Sequence, residues 1–127
     1  MKVEVSIGEV IDKISILEIK SKKITEPNKL KNVVKEFDIL LSNASKVIKW
    51  ETITDLYEKL IEINTKLWNI EDDIRKKEKE KKFDSEFIEL ARSVYYTNDE
   101  RFRVKSEINK KFNSELVEEK SYKEYNE

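Results

Sequence analysis

The 127-residue chain contains no cysteine and no histidine. That excludes disulfides, thiolate chemistry, imidazole bases and the usual zinc sites. Glycine and proline occur once each, as Gly8 and Pro27. With so few places to turn tightly, the backbone favours long helices over many short strands. No run approaches the ~20 apolar residues of a membrane span. The opening MKVEVSIGEV lacks the apolar core of a signal peptide, so a cytoplasmic protein with no membrane contact is expected. Neither sign of charge dominates: 26 Lys+Arg stand against 27 Asp+Glu, a net charge of −1. Long-range electrostatics therefore gives no reason to expect a nucleic acid partner. Apolar residues make up 38 % of the chain and charged residues 42 %. The core must be thin, and each helix can bury only a narrow stripe. An elongated bundle, or burial against a second copy, fits that balance.

What is present is helical periodicity, in what reads as one domain over 1–127. Ser6 and Glu9 have capping-box spacing, at the start of a helix over 7–24. That helix carries Ile7, Val10, Ile11, Ile14, Leu17 and Ile24 on one face. Ile16 and Ile19 fall outside this stripe, and a second apolar strip suggests contact with another helix or subunit. Pro27 suits the first position of a second helix, over 27–43, with Leu30, Val33, Val34, Phe37, Leu40 and Leu41 inward. A third helix, over 50–79, has Leu56, Leu60, Ile63, Leu67, Ile70 and Ile74 at alternating four- and three-residue spacing, a coiled-coil-like seam. It ends in RKKEKEKK, where cations face the negative end of the helix dipole. Asp84 or Ser85 starts a fourth helix reaching 112, and 113–127 forms a polar tail that Leu116, Val117, Tyr122 and Tyr125 could dock. The fold class is all-α, an antiparallel four-helix bundle with long third and fourth helices.

The fourth helix breaks its own pattern. At 100° per residue, Phe87, Leu90, Ala91, Val94, Ile108 and Phe112 share one face. Asn98, Arg101, Lys105 and Asn109 lie in the same arc. Complementary groups stand on the other helices. Glu18 sits inside the apolar stripe of the first helix. Glu71 and Glu78 border the seam of the third, with Asn64, Trp68 and Arg75 in a line beside it. Buried charge needs partners, because stripping its water costs several kcal/mol. The spacing therefore predicts one polar cluster of Glu18, Trp68, Glu71, Arg75, Glu78, Tyr95, Asn98, Arg101 and Lys105. The four arginines (75, 92, 101 and 103) stand out in a lysine-rich chain and suit a need for the planar guanidinium fork. The cluster is either a closed ion-pair network fixing helix register, or an open pocket for a small anion or a nucleotide sugar. In the second case Arg75, Arg101 and Lys105 would grip the ligand, with Trp68 or Tyr95 stacking on it.

Four runs together, VSIGEVIDKISILEIK, LWNIEDDIRKKE, FIELARSVYYTNDERFRVKSEIN and SELVEEKSY, give the chain a resemblance to a family of small, uncharacterised, all-helical bacterial proteins also found in phages. Some members are encoded among genes for lipopolysaccharide or other surface-polysaccharide synthesis. No activity is assigned to the family, so the resemblance implies a pathway at most and carries over no catalytic residue. Its runs include Glu9, Asp12, Lys13, Asp72, Arg92, Asp99 and Glu118 besides most of the cluster.

A non-enzymatic helical protein that binds or assembles fits the heptad seam, the second strip on the first helix and the missing nucleophiles. It needs no cofactor and predicts a homo-oligomer or a protein partner. The competing class is a Mg²⁺-dependent phosphate or nucleotide hydrolase working through clustered carboxylates. Glu9-x-x-Asp12, Glu86-x-x-Glu89 and Glu71-Asp72 are its candidates, but paired ExxE and ExxD motifs are missing.

Overall fold

A computed structural model describes residues 1–113 and 118–125. Four helices form an all-α bundle: α1 (Ile7–Lys23), α2 (Pro27–Ser45), α3 (Thr54–Lys79) and α4 (Ser85–Lys111). There is no strand among the described residues.

Local chemistry sets the helix ends. Ser6 Oγ accepts from the Glu9 amide at 3.2 Å and caps α1. The return bond of the capping box is absent, because the Glu9 carboxylate is drawn to Lys105 instead. Pro27 opens α2, and Glu26 caps it by accepting from the Asn28 and Lys29 amides. Asp84 caps α4 through the Phe87 amide at 3.0 Å. The third helix starts later than its expected residue 50. Trp50–Thr52 forms a 3₁₀ turn, with Thr52 and Ile53 amides donating to the carbonyls three residues back. Trp50 is held there by its indole N–H, which donates to Ser45 Oγ at 2.9 Å, and by an edge-on contact with Tyr57. At its other end α3 closes in a Schellman turn: Lys82 N–H to the Lys77 carbonyl and Lys81 N–H to the Glu78 carbonyl. Lys81 takes the left-handed conformation there, φ 56°, where glycine is the usual residue.

The core gathers Ile11 and Ile14 of α1, Ala44 of α2, Ile48 and Ile53 of the connection, Leu60 and Ile63 of α3, and Val104 and Ile108 of α4. Helix α1 is the hub. It packs against each of the other three, while α3 and α4 pack along one another as a hairpin. Gly8, Ile11, Asp12, Ile14, Ser15, Leu17 and Ile19 are all buried, so α1 is covered on three sides. The strip expected to meet a partner is therefore largely used inside the chain: Ile19 is only 5 % exposed. A thin core supports this arrangement because one helix serves as the apolar surface for three.

The far half of the hairpin is different. From residue 71 to residue 96 no side chain is buried. This arm keeps only a half-buried seam of Ile74, Phe87, Leu90, Ala91 and Val94, and Phe83 and Ile88 stand more than half exposed.

Candidate functional site

The polar stripe of α4 meets α1 at its closest helix crossing. A Cβ on Gly8 would lie 2.5 Å from the Lys105 carbonyl oxygen and 2.9 Å from Asn109 Oδ1. Only glycine fits, and its amide donates to Asn109 Oδ1 at 2.7 Å. One turn on from Gly8, Asp12 is 1 % exposed and faces Arg101. Arg101 Nε donates to Asp12 Oδ1 at 2.9 Å, and a second guanidinium nitrogen donates to Oδ2. The fork is bidentate, the geometry arginine provides and lysine cannot. From α3, Asn64 Nδ2 donates to Asp12 Oδ1 at 2.9 Å and to Ser15 Oγ at 2.8 Å. The Ser15 hydroxyl donates in turn to the Asp12 carbonyl. One carboxylate thus ties three helices together. Its hydrogen bond and charge hold the Arg101 guanidinium above its ordinary pKa.

Lys105 is the second centre. Its side chain is buried, and its ammonium lies 2.7 Å from Glu9 Oε2 and 2.9 Å from Glu118 Oε1. Burial alone would lower its pKa. The hydrogen bonds to Glu9 and Glu118 more than offset that, and the group is held above the usual lysine value. Glu118 brings the segment after α4 back onto the bundle.

Of the nine residues expected in one cluster, the structure brings only Arg101 and Lys105 into this network. Glu18 turns to the Tyr57 hydroxyl, whose pKa burial and then that carboxylate push up. Glu71 and Arg75 form an exposed pair on α3 at 3.2 Å, and Glu78 pairs with Lys81 near the α3 terminus. Trp68 is half-buried on α3, and Asn98 half-buried on α4. Tyr95 is exposed and stacks with Tyr96 and Tyr125. The α4 stripe turns inward as its angles predict, but it does not meet the apolar face of α1. The contact falls instead on Gly8, Asp12 and Ser15. A signal for that face was available: the sole glycine lies four residues before an aspartate and seven before a serine, the small-residue strip a close helix crossing needs.

This network is closed. Both oxygens of Asp12 are taken; a recess of about 220 Å³ adjoins it, lined in part by Glu9, Asp12, Lys13 and Arg101, and another of about 420 Å³ touches Asn109 and Glu118. No group of three or more Asp or Glu residues could hold a metal ion among the described residues. Four of the six carboxylates suggested for Mg²⁺ are in ion pairs: Glu9 with Lys105, Asp12 with Arg101, Glu71 with Arg75 and Glu86 with Lys77. An anion gripped by Arg75, Arg101 and Lys105 together is likewise ruled out by position, since Arg75 points outward from α3.

The sequence of the whole chain matches one family. The chain belongs to the family of unknown function DUF6165, over residues 1–126. No curated protein and no solved structure is significantly similar to it. Family membership accounts for the quoted runs without adding a reaction to them. Among the described residues, no helix is long and apolar enough to cross a membrane.

Proposed function

We propose that the protein is a non-enzymatic assembly protein that pairs with a second copy of itself through the α3–α4 arm. One observation carries this reading: over residues 71–96 the chain builds two helices and buries none of their side chains. A two-helix arm without a core is marginal in isolation. Burying it against an identical arm would supply the missing third and fourth helices.

The charge pattern favours a second copy over an unrelated partner. Along α3, Glu71, Asp72 and Asp73 precede Arg75, Lys76, Lys77 and Lys79, with Glu78 among them. Acid then base along one helix is self-complementary when two copies run antiparallel. Trp68, Asp72, Lys76 and Lys79 share the outer face of α3 by helical spacing. A dyad between Arg75 and Lys76 sets Asp72 of each copy beside Lys79 of the other, and Trp68 beside the second copy's Phe83. Phe83 is 55 % exposed at the turn, an aromatic with no core of its own. Like charges meet at the centre of this pairing, where Glu71 already neutralises Arg75.

In this reading the buried Asp12 network holds the base of the arm rigid, and the protein acts as a cytoplasmic scaffold. A place in surface-polysaccharide synthesis of a bacterium or a phage, implied by the family resemblance, suits such a scaffold. Sedimentation velocity tests the pairing. The expected species has about twice the 15.2 kDa chain mass at tens of micromolar, a concentration typical of modest interfaces. Asp72→Lys weakens it, Lys79→Asp weakens it, and the double variant restores it. A clean monomer at ~200 µM, or a double variant no better than the singles, rules the arm out as a self-pairing surface.

A further inference from the structure

The segment 118–125 packs against α4. Glu118 anchors its start on Lys105, and the Tyr125 hydroxyl donates to Asp99 near its end. The Tyr125 ring stands edge-on to Tyr95 and Tyr96, at 5.4 and 4.7 Å between centroids. Between those anchors is a groove of about 680 Å³, inside the ~300–1,000 Å³ range of small-molecule sites. Its walls are aromatic and come from two elements: Tyr95 and Phe102 from α4, Tyr122 and Tyr125 from the segment. Its rim is cationic, with Arg103, Lys120 and Lys123. The Lys120 ammonium stands 5.6 Å from the Phe102 ring centroid and 5.1 Å from that of Tyr122, which holds it over the groove. Asp99, one of the two carboxylates present, is already capped by Tyr125. Arg103 and Lys123 are in no ion pair among the described residues.

We infer that this groove binds a nucleoside phosphate, its base stacked on the aromatic walls and its phosphate held by Arg103, Lys120 and Lys123. The contrast with the Asp12 network decides where such a ligand goes. There both carboxylate oxygens of Asp12 are taken by Arg101 and Asn64, whereas here Arg103 and Lys123 have no ion pair among the described residues and Lys120 keeps only a 3.9 Å ion-pair contact with Glu118, beside flat apolar surface. A bare inorganic anion would leave the rings unused, and a neutral heterocycle would leave the cations unused. A polynucleotide is disfavoured because the rim is short and flanked by Asp99 and Glu124, with a chain of net charge −1 and no continuing basic track.

Calorimetry and saturation-transfer NMR on the full chain test this, with AMP and UMP as probes and adenosine, uridine and inorganic phosphate as their halves. Each nucleotide is expected to bind at least about tenfold more tightly than either half, and the Arg103→Gln/Lys120→Gln variant to lose about tenfold. That variant should keep the circular dichroism and melting temperature of the parent, since both residues are at the surface. Absence of binding by every probe at ~5 mM overturns the assignment. So does phosphate binding as tightly as the nucleotides, or nucleotide binding that the double variant leaves unchanged. A short single-stranded oligonucleotide that outcompetes UMP overturns it too, in favour of a nucleic acid surface.

Discussion

Arg101→Met tests the central contact of the fold. Asp12 is 1 % exposed and receives two charge-assisted hydrogen bonds from Arg101 and one neutral bond from Asn64. Removing the guanidinium leaves the buried carboxylate with Asn64 as its remaining side-chain partner. Breaking a buried pair in this way costs about 3–5 kcal/mol. The reverse deletion is milder. The Arg101 side chain is 28 % exposed, so in Asp12→Asn it can turn outward and rehydrate, and the loss should be nearer ~1–3 kcal/mol. The double variant should lose less than the two singles combined, by about 2 kcal/mol of coupling. Urea unfolding followed by circular dichroism measures all three. Thermal melting should show Arg101→Met lower by roughly 10–20 °C at this chain length. An Arg101→Met loss under ~1 kcal/mol, or an Asp12→Asn loss equal to or larger than it, refutes the claim that burial of the carboxylate dominates this contact.

Gly8→Ala should cost about 2 kcal/mol or more despite the better helix propensity of alanine, because the new methyl meets the Lys105 backbone carbonyl and a backbone atom cannot turn aside; chemical denaturation measures it, and a neutral result would mean the crossing is looser than drawn. Lys81→Gly should stabilise by about 0.5 kcal/mol, as relief of the left-handed lysine exceeds the added chain entropy, visible as a higher melting temperature. The chain should lose stability in alkali. Tyr125 is raised from 10.0 to about 12 by its hydrogen bond to Asp99, so its contribution is whole below pH 10 and disappears as pH rises to 12. Lys105, raised above 10.5 by Glu9 and Glu118 against burial, adds a loss that begins near pH 10.5. Tyrosinate absorbance tracks the first, with Tyr125→Phe as its control. Lys105→Met should cost only about 1–2 kcal/mol, since Glu9 and Glu118 are 46 % and 34 % exposed and rehydrate when unpaired; the same urea assay reads it.

Four helices were legible from periodicity alone, and so was the presence of polar residues on an inward arc of α4. Two further features were not. The 3₁₀ turn at Trp50–Thr52 depends on the Trp50 indole reaching Ser45 and the ring of Tyr57, contacts that spacing does not encode. The cluster's membership failed for a similar reason. A helical wheel reports angle about one axis: it put Glu18 inside the stripe of the first helix and Glu71 beside the seam of the third, and left Asp12 off the apolar face. Leu116 and Val117, offered as docking residues for the tail, lie outside the described residues. Tyr125 packs as expected, while Tyr122 remains open at the groove.

The amino-acid sequence by itself determined that this protein is helical, that it lacks imidazole and thiol chemistry, and that its buried volume is small. These follow from composition and period, which act residue by residue along the chain. The tertiary structure decided which carboxylate meets Arg101, that α1 is covered on three sides, and that the arm is left without a core. Those outcomes depend on how close two helices approach and at what angle, and that distance was set by one hydrogen atom in place of a side chain at Gly8.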